Sequence, residues 1–191
     1  MLAELHQAYE ASLIMLANAI ELRDRYTRGH VERVMNYALR VAERLSWPES
    51  EVSGLRFGAI LHDIGKIYIR ESILSKAGSL TQSEWDEMKQ HTVIGAELLR
   101  GIPYLAEAIP IIRSHHERWD GLGYPDGLSG EAIPTGARIV AVVDCFDAMT
   151  TDRIYHAASS PEQARMEIRK GAGTRYDPAV VDVFLSLKDD G

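Results

Sequence analysis

Five of the seven histidines in the sequence stand beside other ligand-type residues or in tight pairs: His30, His62 next to Asp63, His91, and the adjacent His115 and His116. A lone histidine is more often a hydrogen-bonded structural group than a ligand, but a set of five accompanied by carboxylates points to a metal centre. Asp144 lies in the apolar run ARIVAVVDCFDAM at residues 137–149. A carboxylate there must be paired or bind a cation to offset its desolvation, and a nearby arginine would also serve. Imidazole nitrogen combined with carboxylate oxygen suits iron, manganese and related divalent ions, and one carboxylate can bridge two of them through its two oxygens. The single cysteine, Cys145, excludes an intrachain disulfide and a zinc site built from several thiolates.

These side chains need a rigid scaffold, and the hydrophobic periodicity supplies helices. Leu2, Leu5, Tyr9, Leu13, Leu16 and Ile20 recur at spacings of three and four, an apolar stripe that packs on the domain's own core or forms a dimerisation stalk. Helical periodicity continues over 31–45, stopped near Trp47 and Pro48, and over 52–64, ended by Gly65. A turn at 78–81 leads into a helix capped by Thr81 with Glu84 three residues on, and His91 follows shortly after that segment. Further helices are expected over 93–100, 105–116, 135–151, 161–170 and 178–187, and no strand alternation appears. The one long irregular piece, DGLGYPDGLSGEAIP at 120–134, is crowded with Gly and Pro, and loops of that length inside compact domains are often functional.

The order HDIGK at 62–66, His91, HHERWDGLGYP at 115–125 and VDCFDAMTTDR at 143–153 resembles the HD-GYP subgroup of HD-domain phosphohydrolases. HD alone is a weak motif; the double histidine eight residues before GYP, in this order and over about 19–187, is specific. The resemblance implies an all-α fold, an HD-domain helical bundle core with extra C-terminal helices and a Gly/Pro-rich GYP loop. Residues 1–22 would be an N-terminal helix acting as linker or dimerisation stalk, and 23–191 the catalytic domain. It also implies a phosphodiesterase that opens cyclic di-GMP to pGpG, and onward to GMP, with a metal-bridging hydroxide as nucleophile. Two divalent ions are expected, iron or manganese ahead of nickel or zinc. Asp63 would bridge them, with His30, His62 and Asp144 completing one shell and His91, His115 and His116 the other. Members with three metals carry a glutamate four residues before the histidine matching His30, where this chain has Tyr26. Glu21, nine residues before His30, is expected to be too far along a helix to substitute.

By the same resemblance Lys66 contacts the scissile phosphate, and its spacing places it on one face with His62 if the helix runs through Gly65. Asp24 and Asp147 match positions near the substrate. The bland alternatives are a helix-end surface carboxylate for Asp24 and support of a histidine for Asp147. Arg153 matches an arginine that grips the phosphate, a task suited to a planar guanidinium. The pattern departs at Ile154 and at His156, which stands where a permanent cation is usual, so phosphate affinity should be weaker at neutral pH.

A formal charge of −7 argues against binding a nucleic acid polymer, so local positive charge for an anionic substrate must come from bound ions and a few side chains. No apolar run approaches the roughly 18 residues of a membrane span. The N-terminus, with Glu4, Glu10 and Glu21, does not read as a secretory signal, and a cytoplasmic setting is expected. The competing readings are a hydrolase of another cyclic dinucleotide or nucleotide, and a non-catalytic receptor that binds cyclic di-GMP or a diguanylate cyclase domain through Gly123–Pro125. The first helix suggests the output half of a larger sensor and a homodimer.

Overall fold

The computed structural model describes residues 2–23, 29–151 and 158–187, and among them every regular element is helical. Nine α-helices follow in order: α1 (Leu2–Glu21), α2 (His30–Arg44), α3 (Val52–Leu61), α4 (Glu71–Leu74), α5 (Gln82–Leu98), α6 (Ile109–Ser114), α7 (Thr135–Thr150), α8 (Pro161–Lys170) and α9 (Pro178–Ser186). The all-α expectation is borne out. The only extended pairing among the described residues is an isolated bridge between Ala172 and Tyr176.

Helix α2 shows why these segments are helical. Val31, Val34, Met35, Ala38, Val41 and Ala42 form one buried stripe at spacings of three and four, and it packs on α3 and α7. Helices α3 and α7 are apolar almost all round because neighbours cover them on several sides. Leu55, Phe57, Ala59, Ile60 and Leu61 of α3 and Ala137, Ile139, Val140, Val142 and Val143 of α7 are all buried. Capping fixes the starts of the outer helices. The Thr81 hydroxyl accepts from the Glu84 amide while Glu84 Oε2 accepts from the Thr81 amide at 2.7 Å, and Ser160 and Gln163 repeat the pattern on α8.

Several boundaries differ from the sequence reading. Helix α5 runs unbroken through His91 rather than ending before it, because Thr92, Gly95 and Ala96 continue its buried face. The segment expected over 105–116 is a 3-10 stretch, Pro103–Ala108, followed by the short α6. Helix α3 stops at Leu61, and a 3-10 stretch, Ile64–Tyr68, takes over at the HDIGK motif. The inner stripe of α1 is rotated from the expected one: Ala17 and Ile20 are buried with Tyr9, Leu13 and Ile14 against the core, whereas Leu5 and Leu16 are exposed.

Candidate metal centre

His62 and His115 stand at the C-terminal ends of α3 and α6 and His30 at the start of α2, whereas His91 lies inside α5; backbone carbonyls hold three of these rings. His62, at the C-terminal end of α3, places Nδ1 2.8 Å from the Ala59 carbonyl. His91 on α5 places Nδ1 2.7 Å from the Met88 carbonyl, and His115, just after α6, places it 2.8 Å from that of Ile112. A carbonyl only accepts, so in all three rings Nδ1 carries the hydrogen and Nε2 presents its lone pair. His30, the first residue of α2, uses a carboxylate instead: Nδ1 lies 2.7 Å from Asp147 Oδ2.

Those lone pairs converge in two groups. One ligand atom each from Asp63, His91, His115 and His116 lie within 4.8 Å of one another, and so do those of His30, His62 and Asp144. Asp63 spans both: its Oδ1 is 3.3 Å from His91 Nε2 and 3.9 Å from His115 Nε2, and its Oδ2 is 3.5 Å from His62 Nε2. His62 Nε2 and Asp144 Oδ1 are buried without a hydrogen-bond partner. Buried lone-pair atoms facing one another are costly unless a cation lies between them, so the donor set fits two nitrogen/oxygen-ligated divalent ions sharing one carboxylate.

Electrostatics agree with that reading. Burial is the largest influence on Asp63 and would raise its pKa, yet Lys66, followed by His62, His91 and His115, holds it well below the usual carboxylate range. Desolvation pushes His91 down, and pushes His115 and His116 well below the ordinary imidazole value. Neutral rings are the ligating form. Lys66 Nζ donates to Asp63 Oδ2 at 2.7 Å; it gets there through the 3-10 turn, not through a continued helix as the spacing suggested. Asp147 is buried with both oxygens engaged, by His30 and by Arg33 Nε at 2.5 Å and Nη2 at 3.0 Å, which leaves it facing a histidine and an arginine.

Close backbone approach sets the positions of the ligands. A Cβ on Gly65 would sit 1.9 Å from the His91 carbonyl oxygen and 2.6 Å from the Gly95 nitrogen, so the HD turn and α5 meet at a distance only glycine permits. Gly123 of the GYP tripeptide is equally confined, with Arg118 N at 2.4 Å and the His116 carbonyl at 2.6 Å from a built Cβ. That contact lays the Tyr124 ring on His116, 4.9 Å between centroids at 30°. The GYP loop thus supports a histidine of the candidate ligand set.

Beside both groups lies a cleft of about 610 Å³ that includes His115, His116, Asp144, Tyr124 and Trp85 in its walls. Lys89, Arg118 and Arg175 line it as well. Sequence reasoning missed Lys89 and Arg175, which carry no motif and reach the cleft only because α5 and the turn before α9 fold toward it. It also set aside Glu21, which is buried with Oε1 3.5 Å from His30 Nε2 and whose carboxyl desolvation raises to about 7. Asp24, Tyr26, Arg153, Ile154 and His156 lie outside the described residues.

Residues 14–180 match the HD domain family. The chain therefore belongs to the HD domain family, and the GYP loop on His116 goes with its HD-GYP branch. It is 45% identical over 184 residues to the cyclic di-GMP phosphodiesterase response regulator RpfG of Xanthomonas campestris, covering 95% of this chain and 49% of that protein. A cyclic di-GMP phosphodiesterase of Thermotoga maritima is 45% identical, over 89% of this chain and 47% of its own length. The 3'3'-cGAMP-specific phosphodiesterase 2 of Vibrio cholerae is 37% identical over 100% of this chain and 37% of its own. The chain spans about half or less of the length of these curated relatives. Among solved structures, a cyclic GMP-AMP-specific phosphodiesterase of V. cholerae shares the fold at TM-score 0.73 and 23% identity, over 92% of this chain and 47% of that one.

Proposed function

We propose that this chain is a metal-dependent phosphodiesterase that hydrolyses cyclic di-GMP to pGpG, and onward to GMP. The observation that carries it is the pair of ligand groups sharing Asp63 at the wall of a cleft lined by Lys89, Arg118 and Arg175. Two divalent ions, iron or manganese by preference with nickel or zinc as alternatives, would be held by His30, His62, Asp63 and Asp144 on one side and His91, His115, His116 and Asp63 on the other. When bound, such ions polarise a phosphoryl oxygen and acidify water. The chain's own residues do the rest. Backbone carbonyls fix the Nε2 atoms of His62, His91 and His115, Asp147 does the same for His30, and Lys66 brings a cation to the bridging carboxylate, within reach of a scissile phosphate. Asp24 and Arg153 are proposed as further substrate contacts on the family resemblance alone.

Cyclic di-GMP is preferred because the two relatives at 45% identity carry that name, whereas the 3'3'-cGAMP-specific one stands at 37%. The test is anaerobic loading with iron or manganese, then incubation with cyclic di-GMP and 3'3'-cGAMP in parallel, reading products by liquid chromatography. Conversion of cyclic di-GMP to pGpG with about two metals per chain is the expected result. Faster turnover of 3'3'-cGAMP would reassign the substrate, and a fully loaded protein that leaves both intact would establish the receptor reading.

The proposal includes a cytoplasmic setting and two partner surfaces. No described helix is long and apolar enough to cross a membrane. Leu5 and Met15 on α1 and Leu22 just after it are 68%, 70% and 68% exposed, which supports a homodimer or a link to an upstream module through residues 1–22. Leu122, 77% exposed beside the GYP tripeptide, supports docking of a diguanylate cyclase domain there. Light scattering of the chain alone, and of a mixture with a cyclase domain, checks both; a monomer in each case removes them.

A further inference from the structure

Glu21 is the last residue of α1, is 5% exposed, and its Oε1 is buried without a hydrogen-bond partner. That oxygen lies 3.5 Å from His30 Nε2, and Asp144 Oδ1, also without a partner, lies 3.5 Å from the same nitrogen. With His30 Nδ1 engaged by Asp147 Oδ2 at 2.7 Å, the ring directs Nε2 toward both carboxylates. Three lone-pair atoms from α1, α2 and α7 therefore face one another where no donor satisfies the Glu21 oxygen. A desolvated carboxylate without a donor is offset by a cation beside it or by taking up a proton, and the convergence of three ligand-type atoms here favours the cation. The 3.5 Å separations also match the roughly 3.3–3.6 Å edges of a tetrahedron with ligand distances of about 2.0–2.2 Å.

The end of α1 is fixed in place, as a ligand requires. Two residues after Glu21, the Arg23 guanidinium donates to the carbonyls of Lys66, Ile67 and Ile69 at 3.4, 2.9 and 3.2 Å, tying the helix end to the stretch that follows the HD pair. Inside α1, Ala17 and Ile20 bury the adjoining turn. The nine-residue spacing to His30 that made Glu21 look remote describes a continuous helix, but α1 ends at Glu21 and α2 begins at His30, so the two approach from different helices.

We propose that Glu21 is a further ligand of the ion held by His30, His62 and Asp144, an inference that rests on reading the two groups as a metal site. Helix α1 is then part of the metal centre, and loading the ion locks its C-terminal turn onto α2 and α7. The test uses Mn2+ alone and the full chain, with no substrate. Wild-type, Glu21→Gln and Glu21→Asp proteins are loaded, passed through a competing chelator and assayed for metal content, with melting temperature and hydrogen exchange of residues 14–21 followed with and without Mn2+. The expected result is about two ions per chain in wild type, at least 10-fold weaker retention of one of them in Glu21→Gln, partial recovery in Glu21→Asp, and loss of the metal-induced protection of α1. The metal-free melting temperature of Glu21→Gln should be no lower than wild type, which shows the variant folded. Retention of both ions by Glu21→Gln at wild-type strength overturns the proposal, as does a lowered metal-free melting temperature with unchanged metal binding. A wild-type protein that retains no ion overturns the metal reading itself.

Discussion

Replacing Gly65 with alanine forces apart two backbones that the metal centre needs close together. The added methyl would lie 1.9 Å from the His91 carbonyl oxygen, and since a real Cβ contact is no closer than 3.0 Å, α5 and the HD turn must separate by about 1 Å. The obstacle is backbone, so no rotamer change relieves it, and the cost falls at the upper end of the overpacking range, about 3 kcal/mol. For a domain of this size that is a fall in melting temperature of roughly 6–12 °C. The same displacement draws His91 Nε2 from Asp63 Oδ1, now 3.3 Å away, so metal retention should weaken about 10-fold or more. Two glycines calibrate the measurement. A methyl at Gly58 has the Ile111 side chain as its nearest neighbour, at 2.7 Å, and should cost about 1–2 kcal/mol without disturbing metal binding. One at Gly78 meets nothing within 4 Å and should change stability by less than about 0.5 kcal/mol. Urea unfolding of the three variants, with metal content by elemental analysis, decides it. A Gly65→Ala protein within about 1 kcal/mol of wild type that still holds its ions would refute the claim that this contact positions His91.

Asp147→Asn removes the charge that holds His30 and pairs with Arg33; with Arg33 37% exposed, about 2 kcal/mol of stability and a 10- to 100-fold loss of metal affinity are expected by denaturation and chelator competition. Metal-free protein should lose stability as pH falls below about 6.5, because the folded pKa values of His91, His115 and His116 lie below the unfolded value and the unfolded chain takes up protons first. Glu21 opposes them: its folded value of about 7 exceeds the unfolded 4.5, so its cost is relieved as pH falls. A net uptake of up to two protons gives a slope of up to about 2.7 kcal/mol per pH unit between pH 6.5 and 4.5. Unfolding curves in chelator should show it, His116→Gln should roughly halve it, and a flat profile would contradict it. Lys89→Ala and Arg175→Ala should each raise KM about 5-fold with kcat nearly unchanged, since both line the cleft and neither belongs to the two ligand groups; an equal fall in kcat would assign them to the chemistry.

Residue type and order alone specified the all-helical fold class and the capped start of α5 at Thr81, and pointed to a nitrogen/oxygen metal chemistry with His30, His62, Asp63, His91, His115, His116 and Asp144 as its candidate ligands. These were legible because they depend on local periodicity or on clustered ligand types, both of which survive projection onto one dimension. Tertiary structure decided how the carboxylates divide their work. Asp63 has one oxygen toward each group, Asp147 is spent on His30 and Arg33, and Glu21 enters from the end of another helix. It also decided why two motif glycines are needed, at contacts between segments remote in sequence. Sequence spacing measures distance along one helix; distances between helices are set by side-chain volumes and backbone approach at their crossings, and these exist only once the chain has packed.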